Sequence, residues 1–185
     1  MNVASKEINS LNSQEVCIVV VLYDGNATRS RAMAACNYLV QQFWADIELK
    51  FHWWRTDFLR DAPLAAVAAD NAATADFLII ATESDAEISP ALESWFESWL
   101  SRRMNREGAL VDLRPAASVR SVSSASQREH FLREVCGRGN FDYLAAISNP
   151  PGHRGEPHPL SKGVSGMIEE KWREPYPPSH YGLNE

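Results

Sequence analysis

Two runs of apolar, largely β-branched residues place the strongest constraint on the fold. Residues 16–23 read Val-Cys-Ile-Val-Val-Val-Leu-Tyr, and residues 76–81 read Asp-Phe-Leu-Ile-Ile-Ala. A strand with one face in water alternates apolar and polar residues, whereas a strand that is apolar on both sides is covered by helices on both faces. We therefore expect both runs to be central strands of a parallel sheet.

The remaining segments up to residue 148 alternate between helical and strand patterns. Helices are predicted from about 28 to 43, from 61 to 73, from 89 to 100 and from 126 to 136. Strands are predicted at 16–23, 47–53, 76–81, 109–113 and 141–147. Such alternation, with right-handed crossovers, makes an open parallel sheet with helices on both faces, a three-layer α/β sandwich. The second strand is the most polar, which puts it at an edge and favours the order 2-1-3-4-5.

Local signals predict where the fourth helix begins and ends. Ser126 with Glu129 three residues later forms the pattern of a capping box. Gly137 and Gly139 then predict the end of that helix.

Composition divides the chain into three parts. Residues 1–14 have no periodicity and are interpreted as an N-terminal arm, and residues 15–148 as the α/β domain. Residues 149–185 hold seven of the ten prolines, so we expect an extended C-terminal arm. This arm also carries large apolar side chains, which a free tail usually lacks. We therefore expect it to dock on its own domain, on a second copy in a homodimer or on a protein partner, through Met167, Ile168, Trp172, Tyr176 and Tyr181.

Charge and cysteine content exclude several classes of function. Lys and Arg number 18 against 24 Asp and Glu, a net charge of −6, so we expect neither nucleic acid nor a membrane surface as partner. Three widely spaced cysteines fit a reducing cytoplasm better than a disulfide framework. His153, His158 and His180 lack the spacing of zinc ligands, and no metal site is predicted.

The loops after the first and third strands are the predicted ligand site. In the order 2-1-3-4-5 the chain reverses direction across the sheet between these strands, and ligands bind at their carboxyl ends. The first loop opens a helix, whose N-terminal N–H groups suit an anion, although a solvated helix start explains the same residues. The acidic second loop could equally form ion pairs with Arg29 and Arg31. The candidate ligand-binding residues are Asn26, Thr28, Arg29, Ser30, Thr82, Glu83 and Asp85.

This pair of loops resembles the flavodoxin family. Residues 23–30, Tyr-Asp-Gly-Asn-Ala-Thr-Arg-Ser, stand in the place of its phosphate loop, and residues 82–88, followed by Trp95, are similar to its Thr-Trp-x-Asp-Gly-Glu-Leu stretch. The resemblance implies that Thr28 and Ser30 hold phosphate and that Asp85 lies beside a flavin. Glu83 stands where the family has an aromatic residue that stacks on the flavin, so we do not expect FMN to bind.

The response-regulator receiver shares the predicted fold but not its acceptor residues here. The acidic pair after the first strand is reduced to Asp24, and Thr82 and Glu83 stand where the third strand would end in aspartate. No lysine follows the fifth strand. We therefore do not expect the chain to accept a phosphoryl group.

Two hypotheses about function follow from these observations. The first is a non-catalytic regulatory or protein-interaction module, because the known catalytic motifs are missing from the sequence. The alternative is a binder of a small molecule or nucleotide that carries phosphate, or an enzyme, using the loops after the first and third strands. Whether the chain is an enzyme stays open at this point.

Overall fold

The computed structural model describes residues 15–43, 47–83, 88–103, 106–115 and 124–148. The two predicted arms, 1–14 and 149–185, lie outside the described residues, as does Asp85. The described residues form an α/β domain around a five-stranded sheet whose strands are all parallel. The strand order is 2-1-3-4-5, as the sequence predicts, with the most polar strand at an edge.

The elements alternate along the chain. The strands are β1 (Val16–Tyr23), β2 (Glu48–Arg55), β3 (Phe77–Ala81), β4 (Gly108–Pro115) and β5 (Phe141–Ser148). The helices are α1 (Asn26–Phe43), α2 (Ala62–Ala73), α3 (Pro90–Leu100) and α4 (Ser124–Gly139). A short 3₁₀ helix, Thr56–Arg60, lies between β2 and α2 and was not predicted. None of the described helices combines the length and the apolar character needed to cross a membrane.

The direction of each crossover decides which face of the sheet its helix covers. The step from β1 to β2 runs one way across the sheet, and every later step runs the other way. Right-handed crossovers therefore put α1 on one face and α2, α3 and α4 on the opposite face. On the α1 face, Val19 and Val21 of β1 pack with Leu39. On the other face, Val20 and Leu22 join the core that contains the buried Trp99.

The ends of α4 differ from the prediction. The helix begins at Ser124, so Ser126 lies inside it and does not cap it. Gly137 also lies inside the helix, and Asn140 takes the left-handed conformation that follows it, with φ of 52°. Asparagine tolerates this conformation because its short side chain can hydrogen-bond locally. Gly139 serves packing instead, since a Cβ there would approach Leu100 Cδ2 within 2.9 Å.

Candidate functional site

The turn between β1 and α1 is closed by a threonine. Only Asp24 and Gly25 separate the strand from the helix, which begins two residues before its predicted start. The buried Thr28 hydroxyl accepts from the N–H of Asp24 (3.2 Å) and of Gly25 (2.9 Å), and it donates to the Gly25 carbonyl (2.9 Å). A hydroxyl has one donor and two acceptor positions, so all three are used within the turn.

The other candidates on α1 lie together on its exposed side. Asn26, Arg29 and Ser30 are exposed, and the Ser30 hydroxyl donates to the Asn26 carbonyl (3.0 Å). Arg31 is half-buried instead, and its Nη2 donates to the carbonyl of Thr82 (2.8 Å). Arg31, which is not among the candidates, is thus the arginine that reaches the end of β3.

The loops after β1 and β3 meet, as the strand order predicts. The N–H of Glu83 donates to Oδ2 of Asp24 (2.8 Å), and Thr82 is buried beside them. Glu83 Oε1 lies 3.7 Å from the position that a Cβ on Gly25 would take, so this carboxylate stands over the β1–α1 turn. Among the described contacts, hydrogen bonds between a side chain and a backbone group join these loops, and Asp85 lies outside the described residues.

Two buried polar atoms at this junction have no hydrogen-bond partner. They are Oδ1 of Asp24 and Nε of Arg31. A buried polar atom without a partner carries a desolvation cost of ~1–3 kcal/mol, and native proteins keep few of them. The junction of the loops after β1 and β3 therefore has one acceptor atom and one donor atom that no described residue satisfies.

A buried ion pair lies next to this junction, at the carboxyl end of β4. Asp112 is fully buried and Arg128 is 3% exposed. Arg128 donates to Asp112 Oδ1 through Nη2 (2.7 Å) and Nε (3.1 Å), and its Nη1 donates to Oγ1 of Thr82 (2.7 Å). Thr82 therefore links the buried pair to the β1–β3 crevice.

Further polar groups surround the second oxygen of Asp112. Arg114 Nε donates to Oδ2 at 2.8 Å, and the Tyr143 hydroxyl donates to it at 3.1 Å. Arg114 also contacts Glu129 (3.2 Å), which accepts from Arg133 (2.8 Å). Burial, together with the charge of Asp112, raises the pKa of Tyr143 above its ordinary range. The phenol therefore stays protonated and can serve as a donor to the carboxylate.

Sequence reasoning did not find this network, although one signal was present. Asp112 interrupts the apolar run Ala-Leu-Val-Asp-Leu of β4, and aspartate in a covered strand is rare unless it is paired. Its partner Arg128 comes from α4, where nothing in the helical pattern sets it apart from exposed arginines.

Two clefts open beside the buried pair, and both reach Ile88 and Arg128. The first measures about 150 Å³ and lies between the 3₁₀ helix and the start of α3. Its polar lining includes Asp24, Thr56, Arg60, Thr82, Ser89 and Arg128. The second measures about 400 Å³ and lies between α3 and α4, along Pro90, Glu93, Gln127 and Phe131.

The N-terminal turn of α3 faces the first cleft. Ser89 caps the helix, and its Oγ accepts from the N–H of Leu92 (3.3 Å). Pro90 has no N–H, which leaves the N–H of Ala91 without a partner inside the helix. Ala91 and Arg60 both line the cleft. Among the described residues, none forms an ion pair or a hydrogen bond with the Arg60 side chain.

The cysteines contribute no nucleophile at this site. All three are buried and unpaired with one another. Burial raises the pKa of Cys36 and of Cys136 to about 12, so both thiols stay protonated at neutral pH.

Comparison with known proteins identifies a fold and no family. No family model matches the sequence, and no curated protein matches it. An oxidoreductase from Corynebacterium diphtheriae superposes with a TM-score of 0.57 at 12% identity, over 80% of this chain and 87% of that one. An NADH:FMN oxidoreductase in its apo form gives a TM-score of 0.49 at 15% identity, over 72% and 75% of the two chains. The Trp repressor binding protein from Bacillus subtilis gives 0.44 at 12% identity, over 86% and 99%. The first of these likenesses, together with the strand order, establishes a flavodoxin-like fold.

Proposed function

We propose that the chain binds a small phosphate-bearing molecule in the first cleft, at the carboxyl ends of β1 and β3. This is the alternative hypothesis of the sequence analysis, and one observation carries it. The cleft lies where the strand order reverses. The guanidinium of Arg60, which pairs with none of the described residues, lines it together with the N-terminal turn of α3.

The two sides of the cleft suit different parts of one ligand. Arg60 and the N–H of Ala91 favour a phosphate group, because both present positive charge or positive dipole ends. Asp24 and Thr82 line the same cleft and offer oxygen atoms to hydroxyl or N–H donors. A sugar phosphate or a nucleotide carries both kinds of group.

A second arginine of the cleft is held in a fixed position. Arg128 lines the cleft and donates to the buried Asp112 from Nε and Nη2. A guanidinium fixed in this way needs little rearrangement when a ligand enters.

The fold comparison supports the same choice in a limited way. The C. diphtheriae protein is described as an oxidoreductase, which favours a ligand-binding role over a purely regulatory one. At 12% identity this likeness is one of fold, so it assigns no reaction to the chain.

Calorimetry with the full-length protein tests the proposal, with ADP, ribose 5-phosphate and inorganic phosphate as probes. We expect ADP or ribose 5-phosphate to bind, and we expect Arg60→Gln to weaken that binding at least tenfold, which corresponds to ~1.4 kcal/mol. Arg138→Gln is the matched control, because Arg138 is an exposed arginine paired with Glu97 and lies outside both clefts. If no probe binds, or if both variants bind the probe as the parent does, the proposal is wrong.

A further inference from the structure

One edge of the sheet is a long strand that pairs on one side. β2 stands first in the order 2-1-3-4-5, and β1 is its partner over its whole length. The N–H of Glu48 donates to the carbonyl of Glu15, just before β1, so the backbone of Glu48 faces β1. Backbone groups alternate in direction along a strand. Four residues of β2 therefore turn their backbone groups away from β1: Leu49, Phe51, Trp53 and Arg55.

The outer side of β2 is open to a further strand. In the part of the chain that the structure describes, no residue hydrogen-bonds to the outward backbone groups of Leu49, Phe51 or Trp53. The side chains of these three residues are half-buried, although they stand at an edge. An open edge of eight residues is a template for pairing, and proteins commonly shorten or bend such an edge to prevent it. β2 is neither short nor interrupted by a bulge along its pairing with β1.

Apolar surface continues from this edge onto α1. Met33 is 43% exposed and Val40 is 38% exposed. Both lie about half a turn around the helix axis from Arg31, whose guanidinium reaches the end of β3. β3 and β2 lie on opposite sides of β1. Met33 and Val40 therefore lie on the side of α1 that faces the open edge.

We infer that β2 pairs in antiparallel fashion with β2 of a second copy of this chain, on a two-fold axis at His52. An axis perpendicular to the sheet keeps the α1 helices of both copies on the same face and makes one continuous sheet. A register centred one residue earlier would leave Arg55 opposite residue 47, which precedes β2. The register centred on His52 uses all four outward residues, in the pairs Leu49 with Arg55 and Phe51 with Trp53.

The side chains of β2 complement a second copy of the same strand. On the α1 face, Phe51 lies opposite the partner's Trp53, an aromatic cross-strand pair. On the other face, Lys50 lies opposite the partner's Trp54, which places a cation against an aromatic ring. His52 lies opposite itself. Burial, and then the charge of Lys50, lowers the pKa of His52, so the two rings are neutral at neutral pH and one can donate to the other. No two like charges face each other in this register.

A cysteine at position 52 of the full-length chain tests the pairing directly. Opposite residues of a non-hydrogen-bonded antiparallel pair have Cα atoms about 4.5 Å apart, a distance that a disulfide spans. We expect His52→Cys to form a disulfide-linked dimer on mild oxidation, seen on a non-reducing gel. Lys50→Cys, on the same face of the same strand, is the matched control. Its two copies would lie about 13 Å apart along the strands, too far for a disulfide. The three native cysteines are buried, and the parent protein is the blank.

A charge pair at position 49 gives a second test, by sedimentation equilibrium. Leu49→Lys and Leu49→Glu remove the same apolar side chain, and in this register each new charge lies opposite the partner's Arg55, twice per dimer. Leu49→Lys should dimerise about tenfold more weakly than Leu49→Glu, because like charges directly opposite each other repel.

Three results would overturn the inference. The first is a parent protein that sediments as a monomer at every concentration. The second is crosslinking of Lys50→Cys as complete as that of His52→Cys, or of neither variant. The third is equal dimer affinity of the two Leu49 variants. The two tests use different positions, so a variant that fails to fold at one position leaves the other test in place.

Discussion

Replacing Asp112 by asparagine should destabilise the protein more than any exposed charge change. The Asp112 carboxylate accepts four hydrogen bonds, two from Arg128, one from Arg114 and one from Tyr143. Asparagine keeps the shape but removes the charge, and it presents an NH₂ group where one oxygen accepted. Arg128, at 3% exposure, would then lose the negative charge of Asp112 beside its guanidinium.

The size of the effect follows from that burial. Removing one partner of a buried ion pair typically costs ~3–5 kcal/mol, because the remaining charge has lost its water and its partner. Domains of this kind are stable by ~5–15 kcal/mol in total, so the variant should lose a large share of its free energy of unfolding. Urea titration followed by tryptophan fluorescence measures the loss as a lower midpoint at an unchanged slope.

Two controls separate this reasoning from a general sensitivity to mutation. Glu97 makes two short bonds to Arg138, both of 2.6 Å, but the side chains are 54% and 45% exposed. Glu97→Gln should therefore leave the urea midpoint almost unchanged. Adding Arg128→Met to Asp112→Asn should recover part of the loss, since it removes the stranded charge. If Asp112→Asn costs no more than Glu97→Gln, the argument from burial is refuted.

Two further predictions concern flavin and acid. Purified protein should be colourless and should not bind micromolar FMN in a fluorescence-quenching titration. The reason is that the Glu83 carboxylate lies over the β1–α1 turn, where it would repel the FMN phosphate. A yellow preparation would contradict this prediction. The hydrogen bond from Arg133, and then that from Arg114, lowers the pKa of Glu129 below its ordinary value of 4.5. A depressed carboxylate pKa stabilises the fold above the unfolded value and loses that effect as pH falls through the folded value. Melting temperatures between about pH 3 and 6 should therefore fall less steeply below pH 4.5 in Glu129→Gln than in the parent, and parallel curves would refute this assignment.

The strand order could be predicted because it depends on patterns within each strand. β1 and β3 are apolar on both faces, and β2 alternates, so the positions of these three strands in the sheet follow from burial alone. The right-handed crossover rule then decides the face for each helix. Neither step needs knowledge of which side chains touch across the fold.

Buried polar side chains could not be predicted where their partners are distant in sequence. Arg103 shows this clearly: it follows α3, where basic residues usually suit the helix dipole in water. In the fold it is 3% exposed, and it donates to the carbonyls of Gly139 (2.6 Å) and Ala75 (2.7 Å). Burial lowers its pKa to about 10, which leaves the guanidinium charged at neutral pH. These acceptors lie 36 and 28 residues away in the sequence, so the residues around position 103 do not indicate them.

The β1–α1 turn shows a different limit, because the same residue types suit two uses. Hydroxyl and amide side chains at a helix start suit an anion, and they equally suit the backbone of their own turn. Here the Thr28 hydroxyl accepts from the N–H groups of Asp24 and Gly25, so the turn supplies its own acceptor. Binding of an anion by Asn26, Arg29 or Ser30 stays a prediction, and the position that we propose for the phosphate is the start of α3 beside Arg60.

The proposed function depends on one feature of the topology, the reversal between β1 and β3. The chain steps one way across the sheet once and the other way three times, so α1 lies on one face and α2, α3 and α4 lie on the other. A crevice opens at the carboxyl ends of the strands where these helices separate. The proposed cleft lies at this crevice, beside α3, so the strand order that could be predicted from burial patterns also predicts where a ligand would bind.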